Sequence, residues 1–144
     1  LDALWDSFQP NIVQMPYNLL DQRFMISGWM KKMNDVGVEI HVRSIFLQGL
    51  LLMSEQNRPG KFNRWKDLWK IWYEWLNDSQ ITALEATIRY AISIQEISKV
   101  LVGVDTKDQL KEIIVASNGV LPNIPDELFT NDVDLLNPSN WGKL

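Results

Sequence analysis

Two segments of the chain have the residue types and spacing of a ligand site at the end of a parallel β-sheet. The first runs from Val38 to Gly49 and the second from Val100 to Leu110. Each begins with a β-branched run and ends in a polar turn that contains glycine, and the second leads directly into a helix. Ligands of parallel sheets bind at the loops that follow the carboxyl ends of the strands. We therefore expect a ligand site at the loops after these two strands.

The strand from Val38 to Arg43 has one apolar face and one polar face. Side chains alternate along a strand, so Glu39, His41 and Arg43 share one side. Two interpretations stay open. The strand is half-exposed, or it is a barrel strand whose polar side chains point inward, where buried charges need partners. No other predicted strand supplies obvious partners, which favours a barrel with strands beyond this sequence.

Other residues with catalytic chemistry are few. His41 is the only histidine, and a lone histidine is more often structural than catalytic. The aspartates near residues 105–108 and 132–134 fall in predicted turns and helix starts, where a solvated role is the simpler explanation. The chain has no cysteine, no glycine-rich phosphate loop of the dinucleotide or P-loop type, and no metal-ligand spacing. We therefore expect no metal site.

Composition places the chain among globular proteins. It has 144 residues, of which 46% are hydrophobic and 22% charged, enough for one domain with a core. The net charge is −4 and the Lys and Arg residues are scattered, which argues against a nucleic-acid surface. The sequence contains no run of about 18 apolar residues that could span a membrane, and no signal peptide is visible. We expect a cytoplasmic protein without nucleic-acid or membrane partners.

The ligand loops are positioned by an alternation of helices and strands. The periodicity and the Pro and Gly breaks predict helices over 1–8, 21–35, 64–77, 82–94 and 107–117, and strands over 11–17, 38–43 and 100–104. This alternation predicts an α/β fold in which three parallel strands lie adjacent in that order, with helices on one face. A closed barrel needs eight strands. The chain therefore corresponds to the C-terminal portion of a (β/α)8 TIM barrel, followed by an irregular tail over 118–144.

An aromatic stripe runs along the helix predicted over 64–77. Its members recur at helical spacing: Trp65, Leu68, Trp69, Trp72, Tyr73 and Leu76. Such stripes usually form core, although Trp and Tyr are also enriched at interfaces. The two interpretations merge in a fragment, because a core face without its partner strands is an exposed apolar patch.

The start of the chain reads as the end of a helix. Helical spacing relates Leu1 to Leu4, Trp5 and Phe8. The first residue is also a leucine and not the methionine with which a protein begins. We expect the chain to be a fragment of a longer protein, called here the parent. The alternative is an independent small α/β interaction module, with the aromatic helix as its interface.

Three segments in register resemble the aldo-keto reductase family. Asn11–Asn18 resembles the sixth barrel strand, Arg43–Gly49 the end of the seventh strand and its cofactor loop, and Gly103–Glu112 the eighth strand and the following helix. The resemblance covers nearly the whole chain. It implies a (β/α)8 barrel that reduces aldehydes and ketones with NADPH or NADH and has no Rossmann motif.

The resemblance also implies roles for individual residues. Gln14 would bind the nicotinamide carboxamide, and Arg43 stands where the family usually has an aromatic that stacks on the nicotinamide ring. The pyrophosphate would lie along Ser44, Phe46, Gln48 and Gly49, and the adenosine half near Gly103, Asp105, Gln109 and Glu112. Asp105 occupies the position of a Ser or Lys that holds the 2′-phosphate, which favours NADH over NADPH, and Ile113 replaces a common Asn.

The family's catalytic residues lie on earlier strands. The resemblance therefore implies that this chain is the cofactor-binding part of the parent, without catalytic residues, and that alone it is inactive and binds no cofactor. We also expect it to self-associate or to pair with the missing N-terminal half. A non-catalytic barrel relative is the alternative that Arg43, Asp105 and Ile113 favour.

Overall fold

The computed structural model describes residues 2–144 and contains three strands and seven α-helices in that range. In chain order the elements are α1 (Asp2–Trp5), β1 (Ile12–Pro16), α2 (Arg23–Ile26), α3 (Trp29–Asp35), β2 (Glu39–Arg43), α4 (Lys66–Asp78), α5 (Ala83–Ser93), β3 (Lys99–Val100), α6 (Lys107–Ala116) and α7 (Val133–Leu136). Short 3₁₀ turns fill much of the loops, including Leu50–Leu52, Gly60–Trp65, Asp126–Leu128 and Pro138–Lys143. None of these described helices is long and apolar enough to cross a bilayer.

The three strands form one parallel sheet in the order β1-β2-β3, which confirms the predicted fold class. The third strand is shorter than the predicted 100–104. The Ser98 N–H donates to the Ile40 carbonyl at 2.8 Å and the Leu101 N–H to the Val42 carbonyl at 2.7 Å, so pairing extends one residue beyond β3 on each side. It stops there because β2 ends at Arg43, which leaves residues 102–104 without a neighbouring strand.

The helix predicted over 21–35 is wrong in one respect, because it is broken into α2 and α3. Gly28 between them has a φ of 76°, a left-handed conformation that interrupts helical hydrogen bonding. The glycine break predicted at the end of this helix is confirmed at Gly37. Gly37 has a φ of 81°, its N–H donates to the Asn34 carbonyl, and the Val38 N–H reaches back to the Met33 carbonyl. This Schellman motif ends α3 and directs the chain into β2.

The two faces of the sheet differ as the alternation predicts. Ile40 and Val42 are fully buried beneath the helices, whereas Glu39 and Arg43 lie on the open face. Sequence reasoning found no partner for the polar side chains, but Glu39 accepts hydrogen bonds from His41 at 3.0 Å and from Lys99 at 3.4 Å. These bonds, His41 first, lower the pKa of Glu39. Lys99 was missed because it precedes the predicted third strand.

The aromatic stripe of α4 is core rather than an interface. Trp69 and Trp72 are almost fully buried, and the Trp69 indole N–H donates to the Phe62 carbonyl at 3.0 Å. The 3₁₀ turn Gly60–Trp65 replaces the predicted first turn of the helix. Trp75, outside the predicted stripe, is also buried and donates to the Asn123 carbonyl at 2.8 Å. The helix therefore fastens the C-terminal segment to the domain.

A buried tyrosine pair joins the end of β1 to α5. The hydroxyls of Tyr17 and Tyr90 lie 2.8 Å apart, and the Gln22 amide nitrogen donates to the Tyr90 oxygen at 2.9 Å. Burial raises the pKa of both hydroxyls, and the hydrogen bond to Tyr90 raises that of Tyr17 further. The pair therefore stays neutral and fixes the loop after β1.

The C-terminal segment, residues 118–144, packs against the rest of the domain. Leu128 and Leu135 are fully buried, and the Thr130 N–H donates to the Leu20 carbonyl at 3.0 Å. The Trp65 indole N–H donates to the Asp132 carboxylate at 2.9 Å, which lowers the pKa of that carboxyl. The segment thus lies beside the loop after β1, although its own backbone is irregular.

Candidate functional site

Two adjoining cavities lie where β2 and β3 end. Their volumes are about 200 and 440 Å³, and both are lined by Phe46, Gly49 and Gly103. Eight of the ten candidate residues line one or both of them: Ser44, Phe46, Gln48, Gly49, Gly103, Asp105, Gln109 and Glu112. The structure thus brings together most of the side chains that the two strand-end segments predict. It does this because parallel strands deliver their loops to one edge of the sheet.

The loop after β2 has an unusual backbone. Ser44, Leu47 and Gln48 have φ values of 60°, 48° and 54°, and Gly49 follows at 83°. Non-glycine residues seldom adopt this left-handed conformation, and such strain concentrates at binding sites. Leu47 and the neighbouring Ile45 are almost fully buried, which holds the loop in place.

The same loop presents unpaired backbone donors. Among residues 2–144, no acceptor receives a hydrogen bond from the N–H groups of Ile45, Phe46, Gln48 or Gly49. All four residues line the smaller cavity. Successive N–H groups that turn toward a common space make a concave site for anions. Sequence reasoning missed Ile45, because only the backbone angles show which amides are free.

The loop after β3 ends in the N-terminus of α6. The Thr106 hydroxyl caps the helix by accepting the Gln109 N–H at 3.1 Å, and the Gln109 side-chain oxygen in turn accepts the Asp105 N–H at 2.8 Å. The Asp105 carboxylate is therefore not used as the cap and accepts no hydrogen bond within the described part of the chain. It lines the larger cavity instead.

The larger cavity is acidic. Asp105 and Glu112 are the charged residues that line it, and its other described walls are apolar or neutral, including Leu84 and Ile113. Two carboxylates without a neighbouring cation disfavour a second anion in the same space. A neutral hydroxyl-bearing group suits this wall better than a phosphate.

The remaining two candidate residues lie outside these cavities. Arg43 ends β2, donates to the Ser44 hydroxyl at 3.2 Å, and lines a third cavity of about 360 Å³ between the loops after β1 and β2. Gln14 lies on the open face of β1, in register with His41. It lines none of the three cavities in the described structure.

The third cavity contains residues that sequence reasoning missed. Asn18 follows the carboxyl end of β1, and Ser139 comes from the C-terminal segment. The strand-end rule applied to β1 is the signal that would have found Asn18. Nothing local to Ser139 indicates a site, because only the packing of the C-terminal segment brings it there. Among the described residues, no group of three His, Asp or Glu side chains is arranged to hold a metal ion.

Comparisons with known proteins bear on the family and the fold. The model of the Aldo/keto reductase family matches residues 5–124. The structure is similar to that of an aldo-keto reductase from Bacillus halodurans in its holo form, with a TM-score of 0.59 and 20% sequence identity. The match covers 85% of this chain and 42% of that one, so this chain corresponds to part of the barrel. No curated protein matches.

Proposed function

The chain belongs to the aldo/keto reductase family, and from that membership we propose that it is the cofactor-binding part of an NADH- or NADPH-dependent oxidoreductase. The parent reduces a carbonyl group to an alcohol. The observation that carries the proposal is the loop after β2, with its unpaired N–H groups at Ile45, Phe46, Gln48 and Gly49 around one cavity. The cytoplasmic location predicted from the sequence stays a prediction.

The loop suits a pyrophosphate. Backbone N–H groups donate to phosphate oxygens without a side-chain charge, and they do so wherever left-handed residues turn several amides toward one point. The Ser44 hydroxyl lies at the edge of the same cavity and already accepts from Arg43, which leaves its proton available to an anion. We assign the pyrophosphate to this loop and the adenosine half to the adjoining acidic cavity.

The adenosine assignment follows from the larger cavity. Asp105 and Glu112 suit the hydroxyls of a ribose, and the half-buried Ile113 offers an apolar surface to a base. The Gln109 side-chain oxygen is occupied by the Asp105 N–H, so Gln109 has only its amide nitrogen to offer a ligand. This arrangement favours NADH, whose ribose carries a hydroxyl where NADPH carries a phosphate.

The nicotinamide half would lie toward the end of β2. We assign Arg43 as the surface on which the ring stacks and Gln14 as a donor to the carboxamide. When bound, the cofactor supplies the hydride for carbonyl reduction. This chain's residues bind and orient the cofactor, and we assign none of them as a catalytic acid or base. The catalytic side chains belong to the strands that precede β1 in the parent.

The partner of this chain is the remainder of the barrel or a second copy of the chain. Ile12 on β1 and Phe8 before it are more than half exposed. Leu101, which follows the other edge strand β3, and Ile114 on α6 are exposed as well. Unpaired strand edges and apolar patches favour association. We expect light scattering to show a dimer or larger assembly, and a uniform monomer near 16.7 kDa would contradict this expectation.

The phosphate site is tested on the chain itself with inorganic pyrophosphate, which needs only the loop. We expect an NMR titration to shift the amide signals of Ile45, Phe46, Gln48 and Gly49 at millimolar concentrations of the probe. Shifts spread evenly over the surface, or no shift at these four amides, would refute the assignment.

A glycine variant sharpens this test. A Cβ built at Gly103 meets no atom within 4 Å, so Gly103→Asp adds a carboxylate to the shared wall of both cavities without disturbing the packing. We expect it to weaken pyrophosphate binding by about tenfold, since like charges in a partly enclosed site repel. Gly142→Asp is the matched control, because Gly142 has the same free space and lines none of the three cavities.

A further inference from the structure

The third cavity, of about 360 Å³, has a composition of its own. It lies between the loops after β1 and β2 and the C-terminal segment, and it shares only Ser44 and Gln48 with the smaller phosphate cavity. Its described walls come from three separate parts of the chain. This position places it beside the proposed cofactor site at the same edge of the sheet.

The cavity carries one uncompensated positive charge. Its charged wall residues are Arg23, Arg43 and Asp21. Arg23 holds Asp21 with two parallel hydrogen bonds of 2.9 and 2.8 Å, which neutralises both. Arg43 forms no ion pair in the described chain, and its one hydrogen bond goes to the neutral Ser44 hydroxyl. The guanidinium therefore keeps free N–H donors and its full charge.

Asn18 adds a buried donor to the same cavity. The residue is only 3% exposed, and its side-chain oxygen accepts the Leu20 N–H at 3.1 Å, so its amide nitrogen is the outward group. That nitrogen donates to no acceptor among residues 2–144. In that range, the side-chain nitrogen and oxygen atoms that are buried from solvent and lack a hydrogen-bond partner are Arg58 Nε and Trp72 Nε1. The Asn18 nitrogen also lacks a partner but is not one of these atoms, so it is accessible to solvent. A free donor that opens into a cavity can bind an acceptor ligand.

Part of the lining is apolar. Leu47 and Leu136 are buried, and Val133 and Pro138 also line the cavity. A ligand that fits has a negatively charged, hydrogen-bond-accepting end and a short carbon chain. A carboxylate matches the charge of Arg43 and the donor of Asn18, since guanidinium and amide N–H groups bind its oxygens in plane.

We infer that this cavity binds the carboxylate of the substrate, and that the parent reduces a keto acid or an aldehyde acid rather than a neutral carbonyl compound. The inference rests on the proposed function for its carbonyl chemistry, but the carboxylate site stands on Arg43, Asn18 and the cavity alone. It is compatible with the stacking role of Arg43, because a ring packs on the plane of a guanidinium while an anion binds its edge.

The test compares 4-oxopentanoate with 2-pentanone, a keto acid and a neutral ketone of the same chain length. In NMR titrations of the full chain, we expect 4-oxopentanoate to shift the amide signals of Asn18, Ser44 and Ser139 and to bind at least about tenfold more tightly than 2-pentanone. Equal binding of the two probes would overturn the inference.

Two variants address the groups that carry it. Arg43→Gln is expected to weaken 4-oxopentanoate binding about tenfold, whereas Lys66→Gln, which removes the same charge from an exposed position outside the cavity, leaves it unchanged. Asn18→Asp keeps an acceptor for the Leu20 N–H but removes the donor and adds a negative charge. It should also weaken binding, and full affinity in both variants would refute the assignment.

A competition experiment separates the substrate from the cofactor as the source of the anion. If pyrophosphate displaces 4-oxopentanoate and shifts the same amides, the cavity belongs to the cofactor and the inference fails. If pyrophosphate binds the loop after β2 and 4-oxopentanoate binds nowhere, the inference fails and the proposed function stands. If only 4-oxopentanoate binds, the carboxylate site stands and the proposed function fails.

Discussion

Replacing Asp105 with serine is the most informative change at the proposed cofactor site. The Asp105 carboxylate lines the larger cavity together with Glu112, and no cation lies among the described residues of that wall. Thr106, not Asp105, caps α6, so the substitution leaves the helix start intact. Any change in cofactor preference therefore reports on charge and not on folding.

The expected magnitude follows from Coulomb's law. A carboxylate and a phosphate charge about 5 Å apart repel by about 0.8 kcal/mol in water and by about 3 kcal/mol at an effective dielectric constant of about 20. These energies correspond to a weakening of NADPH binding by a factor of about 4 to 150. We expect Asp105→Ser to shift the preference toward NADPH by about tenfold, with Glu112 retaining part of the original penalty.

The assay titrates NADH and NADPH separately into the parent protein and compares the ratio of the two Kd values. The ratio should favour NADH in the wild type and should shrink as salt screens exposed charges over about 8 Å. Asp108→Ser is the matched control. Asp108 lies three residues after Asp105, in the first turn of α6. Its side chain is 81% exposed and paired with Lys111, and it lines neither of the two cavities at the ends of β2 and β3.

Three outcomes would refute this reasoning. A wild type that binds NADPH more tightly means that Asp105 does not face the 2′ position. An unchanged ratio in Asp105→Ser, with the helix content retained, means that the carboxylate does not interact with the cofactor. An equal effect of Asp108→Ser would assign the result to the general field of α6 instead of the cavity.

Three further predictions concern stability and are checked by thermal or chemical unfolding. Tyr90→Phe leaves the buried Gln22 amide without its acceptor and should destabilise the fold by about 1–3 kcal/mol, and an unchanged midpoint would refute the buried network. Thr82→Ala removes the capping box of α5 and should cost about 1 kcal/mol, with Thr82→Ser as the control that retains it. The pKa of Glu39 is lowered in the fold by the hydrogen bond from His41. Its contribution to folding stability is therefore present above the ordinary pKa of 4.5 and is lost as the pH falls below that value. Glu39→Gln should therefore flatten the acid side of the stability profile, and a parallel profile would contradict the pairing.

The sheet could be predicted from the sequence because its strands are specified by local residue patterns. Period-two alternation over Glu39–Arg43 identified both faces of β2, and the strand–helix alternation identified the parallel order. The length of β3 was not accessible in the same way. Residues 102–104 have strand-like side chains, but a strand needs a neighbour, and β2 ends at Arg43.

The residues of the candidate site likewise divide into those that local sequence patterns predict and those that depend on the folded structure. Residues in the loops just after β2 and β3, such as Ser44 and Gly103, were found by the rule that loops at one sheet edge meet. The free amides of the loop depend on left-handed backbone angles at Leu47 and Gln48, residue types that do not indicate such angles. The meeting of Asn18 with Ser139 depends on packing across more than a hundred residues, which no local pattern encodes.

Most of the C-terminal segment lies beyond the part of the chain that matches the family, and this affects how relatives of this protein can diverge. The family match ends at residue 124, yet the wall of the third cavity includes Leu136 and Ser139. The loop after β2 lies inside the matched region, and these two residues lie outside it. The lining residues Asn137, Pro138 and Ser139 follow the buried anchor Leu135, so they can be substituted without disturbing that loop. Natural variation in these residues should therefore change what the third cavity accepts while the loop after β2 keeps its conformation.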